Sequence, residues 1–355
     1  MRSFVNFIIL FLCFVHLSAQ NNLCNKLGAW LWYIENTDFP SHSALAARLS
    51  SLDISRVYVK VADGKVNPDV WPELEDKMVV DAYKQKGIEV WAWSYNYPGN
   101  DSLQAEALYL AAKTGYQGFV VDVETEFDNK SLELRSIFSA FDKAKKRAIN
   151  ENLVSDDFSL YVTTWGNPID HNFKISEMDP FVNGYMPQTY VENWGPSYMD
   201  NIPKWIEEGN KEYKQLGATK PIHHIISTEK GILTAAQINN FFEYSGGETS
   251  IWRIPGGNVP QNIWNTWQDV NWKRNFCTSS VNDDLKEQIF VYPNPAFDVI
   301  HFEGDFESFF IATYLGDVIM RRSRINHVDI SSLKAGMYIV KFDTGKVVKF
   351  IKYEY

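Results

Sequence analysis

Short apolar runs alternate with amphipathic helical patterns along residues 26–273, and this alternation constrains the fold more than any other feature. Each of eight apolar runs is followed by a segment with helical periodicity. Eight such pairs in about 250 residues are typical of a (β/α)8, or TIM, barrel. The predicted strands cover residues 28–33, 56–61, 88–94, 118–126, 158–164, 184–190, 222–227 and 250–254.

An open, doubly wound sheet is the alternative arrangement for this pattern. No G-x-G-x-x-G follows the first predicted strand, so a dinucleotide site has no support. Neither a G-x-S-x-G elbow nor a P-loop occurs. We therefore predict an α/β barrel without a cofactor, whose active site lies at the carboxyl ends of the strands.

The fourth predicted strand ends in three acidic residues, Asp122, Glu124 and Glu126. Alternate residues of a strand share a face, so we expect the three carboxylates to point the same way. Carboxylates at the end of an apolar strand are costly unless they are paired or used. Glycoside cleavage uses two carboxyl groups roughly 5 to 9 Å apart, which this spacing suits. Structural hydrogen bonds at the barrel mouth are the alternative use.

Aromatic, amide and charged residues end the other predicted strands. Aromatic rings stack on the apolar faces of pyranose sugars, and amides and carboxylates bind their hydroxyl groups. We predict catalytic roles for Asp122 and Glu124. The predicted substrate-binding residues are Trp32, Lys60, Asp63, Trp93, Tyr95, Glu126, Trp165, Gln188, Tyr190, Trp252 and Arg253.

Two of these strand ends resemble motifs of glycoside hydrolase family 25, the lysozyme-type family, and of related retaining, substrate-assisted barrels. Asp122-Val123-Glu124 is similar to the family's D-x-E on strand four. Lys60-Val61-Ala62-Asp63-Gly64 is similar to K-A-x-E-G on strand two, with Asp63 where a Glu is usual. The first strand lacks the family's D-V-S-x-x-Q, and the eighth lacks W-Q-Y.

The resemblance implies that Glu124 protonates the leaving oxygen. Asp122 would orient a substrate acetamido group or stabilise the oxocarbenium-like charge directly. Like-charge repulsion from Asp122 and Glu126 would raise the pKa of Glu124 as this role requires. An ion pair between Asp122 and Lys60 is the competing structural role. A non-catalytic carbohydrate-binding barrel and a hydrolase of another bond are the alternative functions.

Metal-binding patterns are weak in this sequence. His223 and His224 are adjacent, and adjacent strand residues point to opposite faces, so both cannot bind one metal. The acids within residues 122–128 could gather around calcium, but they lack the turn glycine of an EF-hand. We therefore predict no metal.

Residues 1–19 have the features of a secretory signal peptide: a basic start, an apolar run at residues 4–15, and small residues before a predicted cleavage after Ala19. The run is too short to span a bilayer, and we predict no transmembrane segment. In an oxidising compartment, Cys24 and Cys277 would form a disulfide joining the ends of a barrel domain at residues 22–277. Two isolated thiols are the alternative.

The formal net charge is −10. Such an acidic balance argues against nucleic acids and anionic membranes as partners. The aromatic, amide and acidic residues at the strand ends lead us to expect a polysaccharide or other glycan as the substrate.

The composition changes after Cys277. Residues 278–287 are polar and acidic and are predicted to form a linker. Residues 288–355 contain short alternating strands separated by turn signals, which predicts a small antiparallel β-sandwich.

Several motifs occur in order in this last region: Tyr292-Pro293-Asn294-Pro295, Gly316-Asp317, residues 328–341 and Lys349-Phe350-Ile351-Lys352. With these motifs the region resembles the type A C-terminal sorting domain of the type IX secretion system. The resemblance implies that residues 288–355 contact a dedicated outer-membrane machinery. It also implies passage from the periplasm to the cell surface or the extracellular space. An ordinary adhesive β-module is the alternative.

Overall fold

The computed structural model describes residues 26–64, 69–245, 248–272, 289–304, 306–313, 318–343 and 347–353. The chain divides into two compact units, one spanning Asn25–Arg274 and the other containing Asn275–Tyr355. The predicted signal peptide, the Cys24–Cys277 pair and the predicted linker lie outside the described residues. They remain predictions.

Eight parallel strands form a closed barrel in the first unit, which confirms the predicted fold. They are β1 (Gly28–Leu31), β2 (Arg56–Gly64), β4 (Glu89–Asn96), β5 (Gly118–Asp122), β6 (Ser159–Trp165), β7 (Gly184–Gln188), β8 (Ile225–Ser227) and β9 (Ser250–Trp252). The sheet closes because β1 pairs with both β2 and β9. A two-residue strand, β3 (Asp69–Val70), pairs antiparallel with β2 and is not anticipated by the sequence pattern.

Helices follow the barrel strands, and their apolar faces cover the outside of the sheet. Outward-facing residues such as Val57, Val121 and Ile226 pack with these helices in one core. No helix in the described ranges is long and apolar enough to cross a bilayer. The helices are α1 (His42–Ser51), α2 (Lys77–Lys84), α3 (Asp101–Thr114), α4 (Ser131–Asn150), α5 (Val191–Trp194), α6 (Pro196–Met199), α7 (Ile202–Gln215), α8 (Ala235–Ser245) and α9 (Ile263–Gln268).

The fourth barrel strand, β5, ends at Asp122 rather than continuing through Glu126. Glu124 has φ −128° and ψ −139°, and a 3-10 turn follows at Thr125–Phe127. Phe127 is fully buried in the core, so the chain leaves the strand to bury this ring. The predicted alternation of carboxylates on one strand face therefore does not extend to Glu126.

Large side chains fill the barrel interior, so the barrel is not a channel. Trp30 stacks on Tyr58 with ring centroids 4.5 Å apart, and Trp91, Trp93 and Tyr161 belong to the same interior cluster. Because the interior is packed, a ligand can reach the carboxyl ends of the strands only from the solvent at that end of the barrel.

A buried ion-pair cluster lies at the amino ends of the strands. Arg56 is 2% exposed and donates hydrogen bonds of 2.6 Å to Glu89 and 2.7 Å to Glu248. Its guanidinium group lies 4.3 Å from the ring centroid of Trp91. This end of the barrel is therefore closed by charged groups that satisfy one another.

The second unit contains two antiparallel sheets, in agreement with the predicted β-sandwich. One sheet has the order β10-β11-β14 and the other β13-β12-β15-β16. Ile300, Phe302, Ile311, Val340 and Phe350 belong to its core. The strands are β10 (Phe290–Tyr292), β11 (Val299–Glu303), β12 (Ser308–Thr313), β13 (Val318–Ser323), β14 (His327–Asp329), β15 (Gly336–Phe342) and β16 (Val347–Lys352).

Candidate functional site

A cavity of about 230 Å³ lies at the carboxyl ends of β5 to β9. Trp30, Thr163 and Ile225 line it together with residues that the sequence predicts for the site. The cavity therefore brings together both predicted catalytic residues and four predicted sugar-binding residues. These six residues are Asp122, Glu124, Trp165, Gln188, Tyr190 and Trp252.

The side-chain amide of Gln188 joins the two catalytic candidates. Its Nε2 donates a hydrogen bond of 2.8 Å to Glu124 Oε1 and one of 3.3 Å to Asp122 Oδ1. Asp122 is buried, and Glu124 is half-buried. The pair therefore lies side by side, with Glu124 as its more accessible member.

Both carboxyl groups hold a proton more tightly than an exposed acid does. Burial raises the pKa of Asp122 well above its usual range, and the nearby charge of Glu124 raises it further. Burial also raises the pKa of Glu124, although the hydrogen bond from Gln188 lowers it in part. Because the charge of Glu124 raises the pKa of Asp122, the protonation of the two groups is coupled.

Lys60 does not form the ion pair with Asp122 that was the competing structural role. Its Nζ lies 2.8 Å from Asp63 Oδ2 and over the rings of Trp32, Tyr33, Trp71 and Trp93 at 5.0 to 5.7 Å. Residues three apart in a regular strand face opposite ways, but the register of β2 shifts between Lys60 and Ala62. This irregularity brings Lys60 and Asp63 together, and among the described residues no cation forms a direct ion pair with Asp122 or Glu124.

Glu126 and Tyr95 form a separate contact beside the carboxyl pair. The Tyr95 hydroxyl donates a hydrogen bond of 2.8 Å to Glu126 Oε2. The charge of Glu126 raises the pKa of Glu124. Glu126 therefore acts on the pair through its electric field.

Arg253 is paired with Glu229 rather than with either catalytic candidate. Its Nε lies 2.7 Å from Glu229 Oε1, and its guanidinium group lies 4.7 Å from the ring centroid of Trp32. The peptide bond between Trp252 and Arg253 is cis. Trp32 and Arg253 do not line the cavity; they contact each other, and Trp32 lies beside Trp252, which does line it.

Trp93 is the predicted site residue that lies deepest. It is 1% exposed, and its Nε1 donates a hydrogen bond of 3.1 Å to the carbonyl oxygen of Leu31. In this structure Trp93 is an interior packing residue that supports Trp30 and Trp252, with ring centroids 5.5 and 5.6 Å away.

Three residues that the sequence reasoning missed contribute to the site. Thr163 is paired with Asp122 across β5 and β6, and its buried Oγ1 has no hydrogen-bond partner among the described residues. Asp128 Oδ1 accepts a hydrogen bond of 3.0 Å from Trp165 Nε1, and His171 stacks on Trp165 with centroids 3.8 Å apart. Thr163 lies two residues before Trp165 on β6, so both side chains face the same side of the sheet. This spacing is the sequence signal that identifies Thr163.

His223 and His224 face opposite sides of the sheet, as their adjacency requires. His223 stacks on Tyr161 inside the barrel. His224 packs edge-on to Phe241 of α8 and makes a hydrogen bond of 2.8 Å with Thr189. Neither histidine reaches the cavity.

Comparison with known families identifies the C-terminal region. Residues 290–353 match the family described as "Secretion system C-terminal sorting domain". This match confirms the predicted sorting domain and indicates export to the cell surface or the extracellular space. No curated protein sequence matches the chain.

Solved structures resemble the chain at low sequence identity. The endo-β-1,4-mannanase from Thermotoga petrophila is 11% identical with a TM-score of 0.52, covering 92% of this chain and 97% of that one. The spore cortex-lytic enzyme SleL from Bacillus cereus is 12% identical with a TM-score of 0.48, covering 70% and 75%. A GH18 chitinase from Pseudoalteromonas aurantia is 13% identical with a TM-score of 0.46, covering 69% and 100%.

None of these three is described as a family 25 enzyme, and that resemblance stays a prediction. The likeness to the mannanase concerns the fold alone. The chain thus joins a (β/α)8 barrel to a secretion-system C-terminal sorting domain.

Proposed function

We propose that the barrel is a glycoside hydrolase that cleaves a glycan outside the cell, with Asp122 and Glu124 as its catalytic pair. The observation that carries this proposal is the single amide nitrogen of Gln188, which contacts both carboxyl groups at the cavity wall. A structural role would favour a pairing with Lys60 or Arg253, and both of these cations have other partners.

Burial raises the pKa of both carboxyl groups, so the pair retains a proton at a pH where exposed acids have lost theirs. Glu124 is the more accessible member, so it delivers this proton to the glycosidic oxygen as the bond to the leaving group breaks. The departing electron pair stays with that oxygen, and positive charge develops on the sugar. Asp122, then ionised and close by, stabilises this charge or orients a substrate acetamido group that does so.

The remaining cavity residues suit a pyranose ring. Trp165 and Trp252 offer aromatic faces, while Thr163, Gln188 and Tyr190 offer polar groups to the hydroxyls. Asp128 and His171 fix the plane of the Trp165 ring. The sugar next to the scissile bond would thus be held by rings on its apolar faces.

The geometry favours retention of the anomeric configuration. Inverting enzymes separate their carboxyl groups by about 6.5–9.5 Å to admit a water molecule. Glu124 Oε1 and Asp122 Oδ1 lie 2.8 and 3.3 Å from the same nitrogen of Gln188, so these two oxygens are closer together than that separation. Proton NMR of the first-formed product would show the configuration directly.

A glycan panel tests the proposal, with soluble β-mannan, xylan, chitin oligosaccharides and peptidoglycan as substrates. We expect wild-type protein to release reducing ends from at least one substrate. Glu124→Gln and Asp122→Asn should each reduce the rate by about 10²- to 10⁴-fold. Glu133→Gln, an exposed change on α4, is the matched control and should behave as wild type.

Two results would contradict the proposal. Binding of a glycan without cleavage would favour the non-catalytic carbohydrate-binding barrel. Cleavage that survives Glu124→Gln would assign the acid to another residue.

A further inference from the structure

A second cleft, of about 580 Å³, lies beside the cavity on the same barrel unit. Its walls come from the segment after β6, from α5, α6 and from α7. None of its residues belongs to the predicted site. Its size exceeds that of the cavity and is sufficient for more than one sugar ring.

Three aromatic side chains form one wall of this cleft. Tyr198 and Trp205 lie 4.5 Å apart between ring centroids, and Trp194 lies 5.6 Å from Tyr198 and 6.4 Å from Trp205. All three are half-buried. The indole Nε1 of Trp205 is buried and has no hydrogen-bond partner among the described residues. The wall thus keeps ring surface exposed in a fixed cluster.

Contacts between the segment after β6 and α7 hold further lining residues of the cleft in place, among them Gly166, Gly209 and Glu212. The Tyr213 hydroxyl donates a hydrogen bond of 2.9 Å to the carbonyl oxygen of Trp165. Glu212 accepts one of 3.1 Å from the backbone N–H of Ile169. A Cβ on Gly209 would lie 3.2 Å from the carbonyl oxygen of Gly166, so the absence of a side chain allows this close packing.

Two chain segments connect the cleft to the cavity. Trp165 lines the cavity, and the next two residues, Gly166 and Asn167, line the cleft. Tyr190 lines the cavity, and Trp194 at the end of α5 lines the cleft. The cavity and the cleft therefore share two chain segments and lie next to each other on the barrel.

The charges around the cleft disfavour an anionic ligand. Asp170, Glu208 and Glu212 line it, against the single lysine Lys204. Lys204 lies over the Trp205 ring, with its Nζ 4.5 Å from the ring centroid. A polyanion would meet this excess of carboxylates, whereas neutral hydroxyls can bind to it.

We infer that the cleft is an accessory subsite that binds uncharged pyranose units of a glycan whose neighbouring unit occupies the cavity. This inference rests on the proposed function for the identity of the ligand as a glycan. Trp205 and Tyr198 supply the stacking surface, and Asn167 and Glu208 supply hydrogen-bonding groups to the hydroxyls.

Native gel electrophoresis in gels containing a soluble polysaccharide tests the inference. The probes are galactomannan, mixed-linkage β-glucan, xylan and glycol chitin, with polygalacturonate as the anionic comparison. The protein is the full chain with Glu124→Gln, so that hydrolysis does not remove the probe. We expect at least one neutral polysaccharide to retard it, and Trp205→Ala to weaken the affinity about tenfold.

Tyr198→Ala is the second variant, since loss of Trp205 could disturb α7. Tyr244→Ala is the matched control, because Tyr244 is an exposed aromatic residue outside the cleft. Thermal unfolding verifies that each variant is folded. Retardation that is lost in a folded Trp205→Ala or Tyr198→Ala variant and retained in Tyr244→Ala supports the subsite.

Unchanged retardation in both cleft variants would overturn the inference, as would retardation by polygalacturonate alone or by no probe. Failure of the proposed function gives a different result. In that case wild-type protein cleaves no member of the glycan panel, whereas the effect of the cleft variants on retardation is measured independently of cleavage.

Discussion

The side-chain nitrogen of Gln188 lies 2.8 Å from Glu124 Oε1. This hydrogen bond stabilises the ionised form of Glu124 and so lowers its pKa, against the effect of burial. The pKa of the proposed acid is therefore lowered by an amide on β7, which lies two positions from β5 in the barrel sheet.

Replacing Gln188 with methionine removes this donor while keeping a side chain of similar length. The pKa of Glu124 should rise, because its ionised form loses a hydrogen bond. Activity that depends on the protonated pair is lost as the pH rises through this pKa, so the alkaline limb of the kcat/KM profile should move to higher pH. An unchanged limb, or one at lower pH, would contradict the role given to Gln188.

Glu126→Gln should shift the same limb in the opposite direction. The negative charge of Glu126 raises the pKa of Glu124, so a neutral amide at this position should lower it. The pH profile of kcat/KM for Glu126→Gln, recorded beside that of Gln188→Met, makes this comparison. If the alkaline limb moved in the same direction in both variants, a direct electrostatic effect of Glu126 on Glu124 would be contradicted.

Asp128 should act through the position of Trp165. Loss of its 3.0 Å hydrogen bond to the indole N–H in Asp128→Ala frees the ring, and we expect KM to rise about tenfold. Trp165→Phe lacks the N–H, so adding Asp128→Ala to it should cost much less. Steady-state kinetics of the double-mutant cycle measures this coupling. If the effects of the two substitutions on KM were fully additive, Asp128 would not act through Trp165.

The ion-pair cluster at the amino ends of the strands should dominate the electrostatic stability of the barrel. Arg56→Met leaves Glu89 and Glu248 without their buried cation, and the free energy of unfolding should fall by about 3–5 kcal/mol. Lys77→Met, which removes an exposed pair with Asp81, should cost less than about 1 kcal/mol. Urea denaturation of both variants checks the contrast, and equal losses would refute it.

Mild acid should destabilise the barrel through its buried histidines. Burial lowers the pKa of His223 from 6.5 to about 4 and that of His224 to about 3. The unfolded chain binds these protons first, so stability is lost as the pH falls from about 6.5 towards 4. By pH 4, His223 alone should lower the free energy of unfolding by about 3 kcal/mol relative to neutral pH.

The variant His223→Phe keeps a ring to stack on Tyr161 and removes one titrating group. Its unfolding free energy should depend less steeply on pH between 6.5 and 4 than that of the wild type. Denaturation curves at several pH values measure both slopes, and identical slopes would exclude His223 as a contributor.

The sequence pattern predicts much of this architecture because the decisive signals are local. Strand-length apolar runs and the helical periodicity between them predict the closed barrel. The strand-end rule of such barrels then selects Asp122, Gln188 and Trp252 for one cavity. The second unit is predicted from its motifs and from its alternating strand pattern.

Other features depend on tertiary contacts that no local pattern contains. The burial of Phe127 ends β5 at Asp122, which separates Glu126 from the carboxyl pair. The irregular register of β2 brings Lys60 to Asp63 and away from Asp122. Trp93 and Trp252 both lie in the carboxyl-terminal half of predicted strands. Trp93 lies deeper in the barrel, so only Trp252 lines the cavity.

The interior tryptophans also have a spectroscopic consequence. Trp252 lines the cavity, and its ring centroid lies 6.2 Å from that of Trp30 and 5.6 Å from that of Trp93. Indole rings at such separations couple their electronic excitations. A molecule that displaces or covers Trp252 thus changes the near-ultraviolet circular dichroism and the fluorescence of the whole group. The barrel carries an intrinsic optical reporter of its own occupancy, which requires no label.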